Sequence, residues 1–430
     1  MKLFLFALKN ALRSWWRTII FGIFIFLISF ISIFMGAFSF TIRNQMEDAI
    51  ISGLTGHLQI RAGNSENDDF AQQLKSRWKG AAYLDAAQLK AVRNVLRAHP
   101  DSGTVTPRVR HGGLFISDKD KASSLIIGLD PGSTNYQDAL ILVQGRMLDP
   151  NSRHEIVIVE SLAEKLRVEA GDRIGVLSRT RDGYTIDAAV TVAGIVQYRM
   201  LSLFSFSAVY TDIDTARELI GYSQGEASDI ILYLKDKNKA QTVYRELLAA
   251  FRRAGMPVVT GEEKPIAAEG IRLSTYKSMG GFFMGMVSGF ILVFYVLIVL
   301  MLLIVSILIS NLIFMMGIER YKEIGTLRAI GFSKFETMRI FMTEIFCVTG
   351  FFGLLGILTA TALNIYFSIA GMPSPSAATD FIMGKRLLFR IDCTQILITL
   401  GLLFGFTFLA SFLPAYKACS LRPVEILKDT

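Results

Sequence analysis

The chain has 430 residues, of which 52% are hydrophobic and only 19% are charged. Soluble domains carry about 25% charged residues, so the composition excludes a disordered chain and disfavours an ordinary soluble enzyme. It indicates membrane helices beside a sizeable soluble part. The three cysteines form no CxxC pair and the four histidines are scattered, so we expect neither a disulfide framework nor a metal site.

The first apolar segment runs from Ile19 to Phe40, 22 residues without a charge. At 1.5 Å per residue it is about 33 Å long, enough to cross a hydrocarbon core of about 30 Å. A cleaved signal peptide is the alternative, but the apolar run is too long and no small-residue cleavage site follows it. Before it, residues 1–17 carry apolar and basic stripes at helical spacing, which predicts an amphipathic helix in the membrane interface.

A large region with no cysteine follows the first apolar segment. Two strand–helix–strand patterns bracket it, and the sequence between them is typical of short strands. We expect an α+β extracytoplasmic domain of two lobes at residues 42–277, one lobe from 42–110 and 216–277 and the other from 111–215. At residues 178–185 the inserted lobe has only a short hairpin turn.

Three further apolar segments follow this domain. Ser278 to Ile318 has 41 residues without a charge, about twice what a bilayer needs, so a long projecting helix or an uncharged loop must absorb the excess. The predicted membrane segments are 18–41, 278–316 (a stalk and span), 337–370 and 393–416, with an extracytoplasmic loop at 371–392 and a tail at 417–430. The fold class is therefore a four-helix α-helical membrane protein with a large α+β domain inserted between helices one and two.

Basic residues fix the orientation of the four spans. They cluster before span one, between spans two and three, and after span four, and they outnumber those on the other side twelve to three. The positive-inside rule places these regions, and both termini, in the cytoplasm. The net charge of +8 is therefore a topology signal, and we expect no nucleic-acid partner.

The basic loop between spans two and three has its own pattern. Residues 317–331 predict a short charged helix that ends at Gly331, and Ser333 with Glu336 predicts a capping box for the next helix. Apolar and charged side chains share this helix, which favours docking into a groove of a partner protein. The candidate docking residues are Glu319, Arg320, Glu323, Ile324, Gly325, Leu327, Arg328, Ile330 and Gly331.

Several kinds of chemistry have no motif in this sequence. There is no G-x-x-x-x-G-K-[ST] loop to hold ATP phosphates, and no G-x-S-x-G or H-E-x-x-H motif. No acidic or basic residue lies within the four uncharged apolar stretches, which disfavours an ion-coupled carrier. Glu344 comes just before the third of these stretches, Ile345 to Thr379, and we expect it at the cytoplasmic surface of the membrane. We expect a chain that is not itself an enzyme and binds no cofactor.

Three motifs resemble those of the membrane subunits of MacB/FtsX/Lol-type ABC transporters. The segment 319–331 is similar to the E-R-x-x-E-I-G-x-L-R-A-x-G coupling motif, and 413–427 is similar to the P-A-x-x-A…P-x-E-x-L tail. Gly145-Arg146, Glu155-Ile-Val and Gly171-Asp172 fit the pattern of the periplasmic domain. The resemblance covers nearly the whole chain.

The resemblance implies how such a chain works. Two permeases, either two copies or a copy and a paralogue, pair with two separate ABC ATPase subunits that bind ATP and Mg²⁺. The coupling loop contacts the ATPase, and stalk helices carry its closure to periplasmic lobes of the Porter and Sabre type. The chain would be a multi-pass protein of a bacterial inner membrane with its large domain in the periplasm.

Size and layout are closest to the lipoprotein-releasing permeases of this family. We therefore expect release of lipoproteins toward a periplasmic carrier; MacB-like efflux or peptide export and FtsX-like signalling are the alternatives. The short turn at 178–185 does not leave room for the long hook to which a carrier binds. Membrane lipid and acyl chains would contact an apolar cleft at Phe34, Phe38, Phe282, Phe283 and Met286.

Overall fold

The computed structural model describes residues 15–65, 82–99, 103–132, 137, 139–180, 182–198, 207–260, 270–319, 326, 330–370, 372–373, 386–387 and 393–420. The chain forms two compact units. The membrane unit comprises residues 1–42, 287–373 and 386–430, and the extracytoplasmic unit comprises residues 43–286 with 374–385. Most of the predicted interfacial helix and the end of the tail lie outside the described residues.

Most of the described strands and the short helices lie between the first two long helices, and two short strands lie between the last two. In chain order they are α1 (Trp15–Ile50), β1 (Leu58–Ala62), α2 (Ala86–Ala98), β2 (Thr104–Ile116), β3 (Lys121–Leu129), β4 (Leu140–Gly145), β5 (Glu155–Val159), α3 (Glu160–Leu166), β6 (Arg173–Arg179), β7 (Thr185–Tyr198), β8 (Ala208–Asp212), α4 (Ile213–Ile220), β9 (Asp229–Tyr233), α5 (Ala240–Arg253), β10 (Val258–Thr260), β11 (Ile271–Thr275), α6 (Tyr276–Met279), α7 (Gly281–Glu319), α8 (Lys334–Ala370), β12 (Met372–Pro373), β13 (Arg386–Leu387) and α9 (Cys393–Ser420).

Four of the described helices, α1, α7, α8 and α9, are long and apolar enough to cross a membrane. The predicted number of spans is therefore confirmed. The uncharged second segment is a single helix of 39 residues, which at 1.5 Å per residue is about 58 Å long. A helix, rather than a loop, absorbs the excess length over a bilayer.

The first long helix extends nine residues beyond the predicted limit at residue 41, to Ile50. It ends in a π-helical turn, Ile51–Thr55, and Gly56 follows with a φ of 64°. A side chain at Gly56 would collide with the Ile231 side chain and approach the Leu232 carbonyl. Glycine is therefore required where the helix turns into β1.

The core of the membrane unit is an apolar seam with glycines at its closest contacts. One stripe of α7, at Ile298, Leu302, Val305 and Ile309, packs with Phe21, Ile25 and Ile28 of α1 and with residues of α8 and α9. A side chain at Gly356 of α8 would collide with Phe26 and Ser29 of α1, and a side chain at Gly353 would collide with Leu403 of α9. The glycines spaced four residues apart in α7 and α9 have no neighbour within 4 Å of an added Cβ: Gly281, Gly285, Gly289, Gly401 and Gly405.

The first lobe of the extracytoplasmic unit is a split strand–helix–strand arrangement. Its strands lie in the order β10-β11-β1-β9-β2, so β9 separates β1 from β2 and is antiparallel to both. The apolar stripes of α2 (Leu89, Val92 and Leu96) and α5 (Val243, Leu247 and Phe251) are buried. Alternation along β1 places Leu58 and Ile60 on one face of the sheet and Gln59 and Arg61 on the other.

The second lobe is inserted between β2 and β9, as the bracketing pattern predicts. Its strands continue the same sheet in the order β2-β3-β8-β5-β7-β4, while β6 pairs with β2 and β7. The short connection between β6 and β7 forms the predicted hairpin, in which Arg179 pairs with Thr185. Gly183, with a φ of 89°, provides the turn.

The boundary between the lobes differs from the predicted one. Strand β2 belongs to both lobes: Thr104 to Arg108 pair with β9, and Val109 to Ile116 pair with β3. Helix α4 packs into the core of the second lobe through Ala216, Leu219 and Ile220. The chain therefore returns to the first lobe at Asp229, and not at residue 216.

Candidate functional site

The predicted docking segment lies mostly outside the described residues. Six of the candidate docking residues are not described, and neither is the side chain of Glu319: Arg320, Glu323, Ile324, Gly325, Leu327 and Arg328. Gly331 has a φ of 108°, as expected for the residue that ends a helix. Ile330 is 77% exposed.

An apolar surface continues from Ile330 into the start of α8. Phe332 is 41% exposed and Phe335 is 67% exposed. The sequence motif led us to Ile330 but not to the two phenylalanines, because they follow the motif and resemble the start of a membrane helix. We call Ile330, Phe332 and Phe335 the apolar docking patch.

The capping box predicted at the start of α8 is confirmed. The backbone N–H of Ser333 donates to Glu336 Oε2 at 2.8 Å, and the Glu336 N–H donates to Ser333 Oγ at 3.2 Å. This reciprocal pair fixes the first turn of the helix. Phe335 belongs to this turn, so its part of the docking patch has a fixed backbone.

The residues of the predicted apolar cleft are divided between the two units. Phe34 stacks on Phe30, and Phe38 contacts Phe294 edge to face with ring centroids 6.1 Å apart. Both side chains are thus engaged inside the membrane unit. Phe282, 58% exposed, and Met286 belong to the extracytoplasmic unit, and the Phe283 side chain is not described. The cleft stays a prediction.

Helix α7 is apolar on every side but is buried along only one stripe. Its exposed side chains include Phe290, Leu292, Val293, Ile304 and Ile307, each more than half exposed. Such a surface is stable only against lipid tails or another apolar helix. Much of the apolar surface of this helix is therefore not covered by the described part of the chain.

Polar side chains line part of the interior of the membrane unit. Ser32 Oγ of α1 lies 3.0 Å from Thr399 Oγ1 of α9. Asn364 of α8 is fully buried, and neither atom of its amide has a hydrogen-bond partner. Glu344, expected at the membrane surface, is only 4% exposed. The described helices thus pack around polar groups rather than around an entirely apolar core.

A row of charged residues marks the junction of the two lobes. Arg272, Arg61, Asp229 and Arg108 lie opposite one another on four neighbouring strands. Arg108 donates two hydrogen bonds to Asp229, at 3.0 and 3.2 Å, and Arg110 Nε lies 2.6 Å from Asp229 Oδ2. Burial alone would raise the pKa of Asp229, but the charges of Arg108 and Arg110 outweigh it and hold that pKa below its usual value.

This charged row lies at the point where β2 passes from one lobe to the other. Asp229 is fully buried, and the guanidinium groups of Arg108 and Arg110 hold it from the two halves of β2. The Ser228 hydroxyl accepts from the N–H of Arg110 at 3.0 Å. Charge and backbone contacts therefore join the two lobes through one short segment.

The described residues contain no group of three acidic, histidine or cysteine side chains that could hold a metal ion. The described surfaces that remain as candidates are the apolar docking patch, the exposed long helix α7 and the two-lobed domain.

Comparison with known families agrees with this arrangement. Residues 18–250, more than half of the chain, match the MacB-like periplasmic core domain, and residues 294–423 match the FtsX-like permease C-terminal region. The chain belongs to the MacB/FtsX-type permeases of ABC transporters. It is accordingly a membrane protein with a periplasmic domain, from a family that works with ABC ATPase partners.

Solved structures with a similar domain are remote in sequence. The extracellular domain of the noncanonic ABC-type transporter YknZ from Gram-positive bacteria is 11% identical over 50% of this chain and 98% of that domain, with a TM-score of 0.33. The periplasmic region of MacB from Actinobacillus actinomycetemcomitans is 15% identical over 53% of this chain and 91% of that region, with a TM-score of 0.34. No curated protein matches the chain in sequence.

Proposed function

We propose that the chain is the permease subunit that couples ATP hydrolysis by a separate ATPase to the release of lipoproteins from the bacterial inner membrane. The observation that carries the proposal is the combination, in one chain, of a MacB-like periplasmic core domain and an FtsX-like permease region. The first supplies a surface outside the membrane, and the second supplies the contact with an ATPase.

The docking patch supports the cytoplasmic half of this proposal. Three exposed apolar side chains beside the coupling motif are costly in water, and burial against a partner would recover about 1.5–3 kcal/mol for each. The ATPase would bind ATP and Mg²⁺, and this chain would carry no catalytic residue. Both termini of the chain would lie on the ATPase side of the membrane.

The exposed length of α7 supports a lipid-linked substrate. A helix that is apolar on all faces can contact lipid, the acyl chains of a lipoprotein and a second permease in turn. The short β6–β7 hairpin argues that a soluble carrier does not dock on this chain through a long hook. A carrier would then bind the paired permease, which makes a heteromeric pair the favoured assembly.

Export of a drug or peptide is the second candidate, and the MacB-like domain favours it equally. The two functions are separated by reconstituting the permease and ATPase in vesicles with a labelled lipoprotein and, in parallel, a labelled peptide. We expect ATP-dependent release of the lipoprotein into the soluble fraction. Release of the peptide alone, with the lipoprotein retained, would contradict lipoprotein release and support export.

A further inference from the structure

The extracytoplasmic unit begins and ends at adjacent places in its sheet. Strand β1, which follows the first long helix, pairs with β11, which precedes the second, and Leu58 lies opposite Thr275. A side chain at Gly280 would contact Ile50, so the last turn of α1 and the start of the second stalk are close neighbours. We call the outer ends of α1 and α7 the two stalks. They join the first lobe at one place, which we call its base.

One lysine connects the outer end of α1 to the other side of that base. Lys237, in the turn before α5, donates to Asn44 Oδ1 at 3.0 Å and to Asp48 Oδ1 at 2.9 Å. Its Nζ also lies 3.4 Å from Glu47 Oε2. The three partners are at positions i, i+3 and i+4 of one helix, so they share a face.

This contact differs from an ordinary surface ion pair in its number of partners and its burial. The Lys237 side chain is 23% exposed and that of Glu47 is 14% exposed. The ammonium group donates two hydrogen bonds to one helical face and forms an ion pair with a third residue on that face, Glu47. Partial burial reduces screening by salt, which otherwise makes exposed pairs weak.

The carboxylates of Glu47 and Asp48 also affect the pKa of a neighbouring tyrosine. Burial raises the pKa of the Tyr276 hydroxyl to about 12, and the negative charges of Glu47 and Asp48 add to this effect. Tyr276 opens α6, which leads to the second stalk. The acidic face of α1 is therefore close enough to Tyr276 to act on its hydroxyl group.

We propose that Lys237 is a positioning residue that ties the outer end of α1 to the first lobe, so that a displacement of the helix moves the lobe without slipping. The inference rests on the proposed function of the chain as a coupled permease. With the tie removed, the polar face of α1 at Asn44, Glu47 and Asp48 would lose its contacts with Lys237, and the helix continues into β1 through the π-helical turn at Ile51–Thr55.

The first test measures the tie itself. Spin labels replace the exposed Arg43 on α1 and the exposed Arg252 on α5, in full-length protein with its own cysteines substituted. Lys237→Met keeps the length of the side chain but removes its charge, and Lys239→Met is the matched control on an exposed lysine. We expect a wider distance distribution for Lys237→Met only. An unchanged distribution would overturn the proposal.

The second test measures coupling and includes a rescue. We expect Lys237→Met to lower substrate released per ATP hydrolysed by about tenfold, the size expected for loss of one charge-assisted hydrogen bond. Lys237→Arg should stay near the parent, and Lys237→Glu should recover when combined with Asp48→Lys. Equal coupling in all variants would contradict the tie. If the parent releases no lipoprotein, the proposed function fails, while the label distances still decide the tie.

Discussion

At the scale of single residues, Asp229 balances the charges of the row that joins the lobes. It is fully buried between Arg108 and Arg110. Removing one partner of a buried pair leaves the other charge uncompensated, which costs about 3–5 kcal/mol. We therefore expect Asp229→Asn to lower the unfolding midpoint of the purified full-length chain strongly, as followed by thermal unfolding in detergent.

The control for Asp229 is an acidic residue in an exposed pair. The Asp149 side chain is 69% exposed and pairs with Arg146, so Asp149→Asn should cost no more than about 1 kcal/mol. Because the pKa of Asp229 is lowered in the folded state, its contribution is present above about pH 4 and is lost as the pH falls through the folded-state pKa. Equal unfolding of the two variants would show that the row does not stabilise the junction.

His57 gives the base of the first lobe a dependence on pH. Its Nδ1 accepts from the Leu234 N–H at 3.0 Å, which requires the neutral ring. Burial lowers the pKa of His57, with Asp48 partly opposing, and burial also lowers the pKa of His111. The unfolded chain then takes up the protons first, so the free energy of unfolding is highest above about pH 6.5 and falls as the pH decreases.

The corresponding measurement is the unfolding midpoint between pH 8 and pH 5. The parent should lose stability below about pH 6.5, and His57→Gln together with His111→Gln should flatten the curve. His154→Gln, at a side chain that is 57% exposed, is the control. A parent curve as flat as that of the double variant would show that neither ring is held neutral.

At the scale of elements, the continuity of α7 is the feature to test. Leu303 is 47% exposed, so Leu303→Pro removes a backbone hydrogen bond without emptying the core, at a cost of about 3 kcal/mol or more. If the helix transmits motion, ATP hydrolysis should continue while substrate release falls. The readout is the ATPase rate against release in reconstituted vesicles.

Two controls separate the helix backbone from the side chain and from the position. Leu303→Ala keeps the backbone bond, and Gly281→Pro lies in the first helical turn, which tolerates proline. Gly281 has open space around an added Cβ, whereas a side chain at Gly280 would press on Ile50. Release by Leu303→Pro equal to that of both controls would exclude transmission through this helix.

The docking patch gives a second prediction for an element. Ile330→Asp and Phe335→Asp should each weaken binding of the ATPase at least about tenfold, because one buried side chain contributes about 1.5–3 kcal/mol. The stability of the permease should not change, since both side chains are exposed in the chain alone.

Co-purification measures the effect, and Tyr184→Asp, at another exposed site, is the control. Unchanged recovery of the ATPase with both variants would place the docking surface elsewhere. For Leu327→Asp the sequence motif predicts the same loss of binding.

The sequence predicted the elements that depend on local pattern and missed those that depend on distant partners. Uninterrupted apolar runs predicted the four long helices, and helical stripes predicted α2 and α5. The extension of α1 to Ile50 was not predicted, because residues 43–50 are too polar for a membrane segment. They are helical in the structure, where Lys237, 189 residues away from Asp48, binds their acidic face.

At the scale of the whole molecule, the order of domains could be predicted but their boundary could not. Two similar patterns on either side of an insert predicted that the sequence of one lobe is inserted into that of the other. The course of β2 through both lobes was missed, because its change of partner at Val109 depends on β9 and β3 and not on a local pattern in β2. The docking segment was predicted from its mixed apolar and charged pattern and from the family resemblance, whereas the two exposed phenylalanines that follow it were found only in the structure.

The central claim is that nucleotide on the cytoplasmic ATPase changes the arrangement of the periplasmic domain. Tyr184, at the exposed tip of the β6–β7 hairpin and 74% exposed, is a suitable label site. The direct measurement is the distance between labels at this position in the two permeases of the assembled transporter, first without nucleotide and then with ATP and a hydrolysis-deficient ATPase. The account predicts a shift to a different distance when ATP is bound. Identical distance distributions in both states, with ATP binding verified in the same sample, would contradict it.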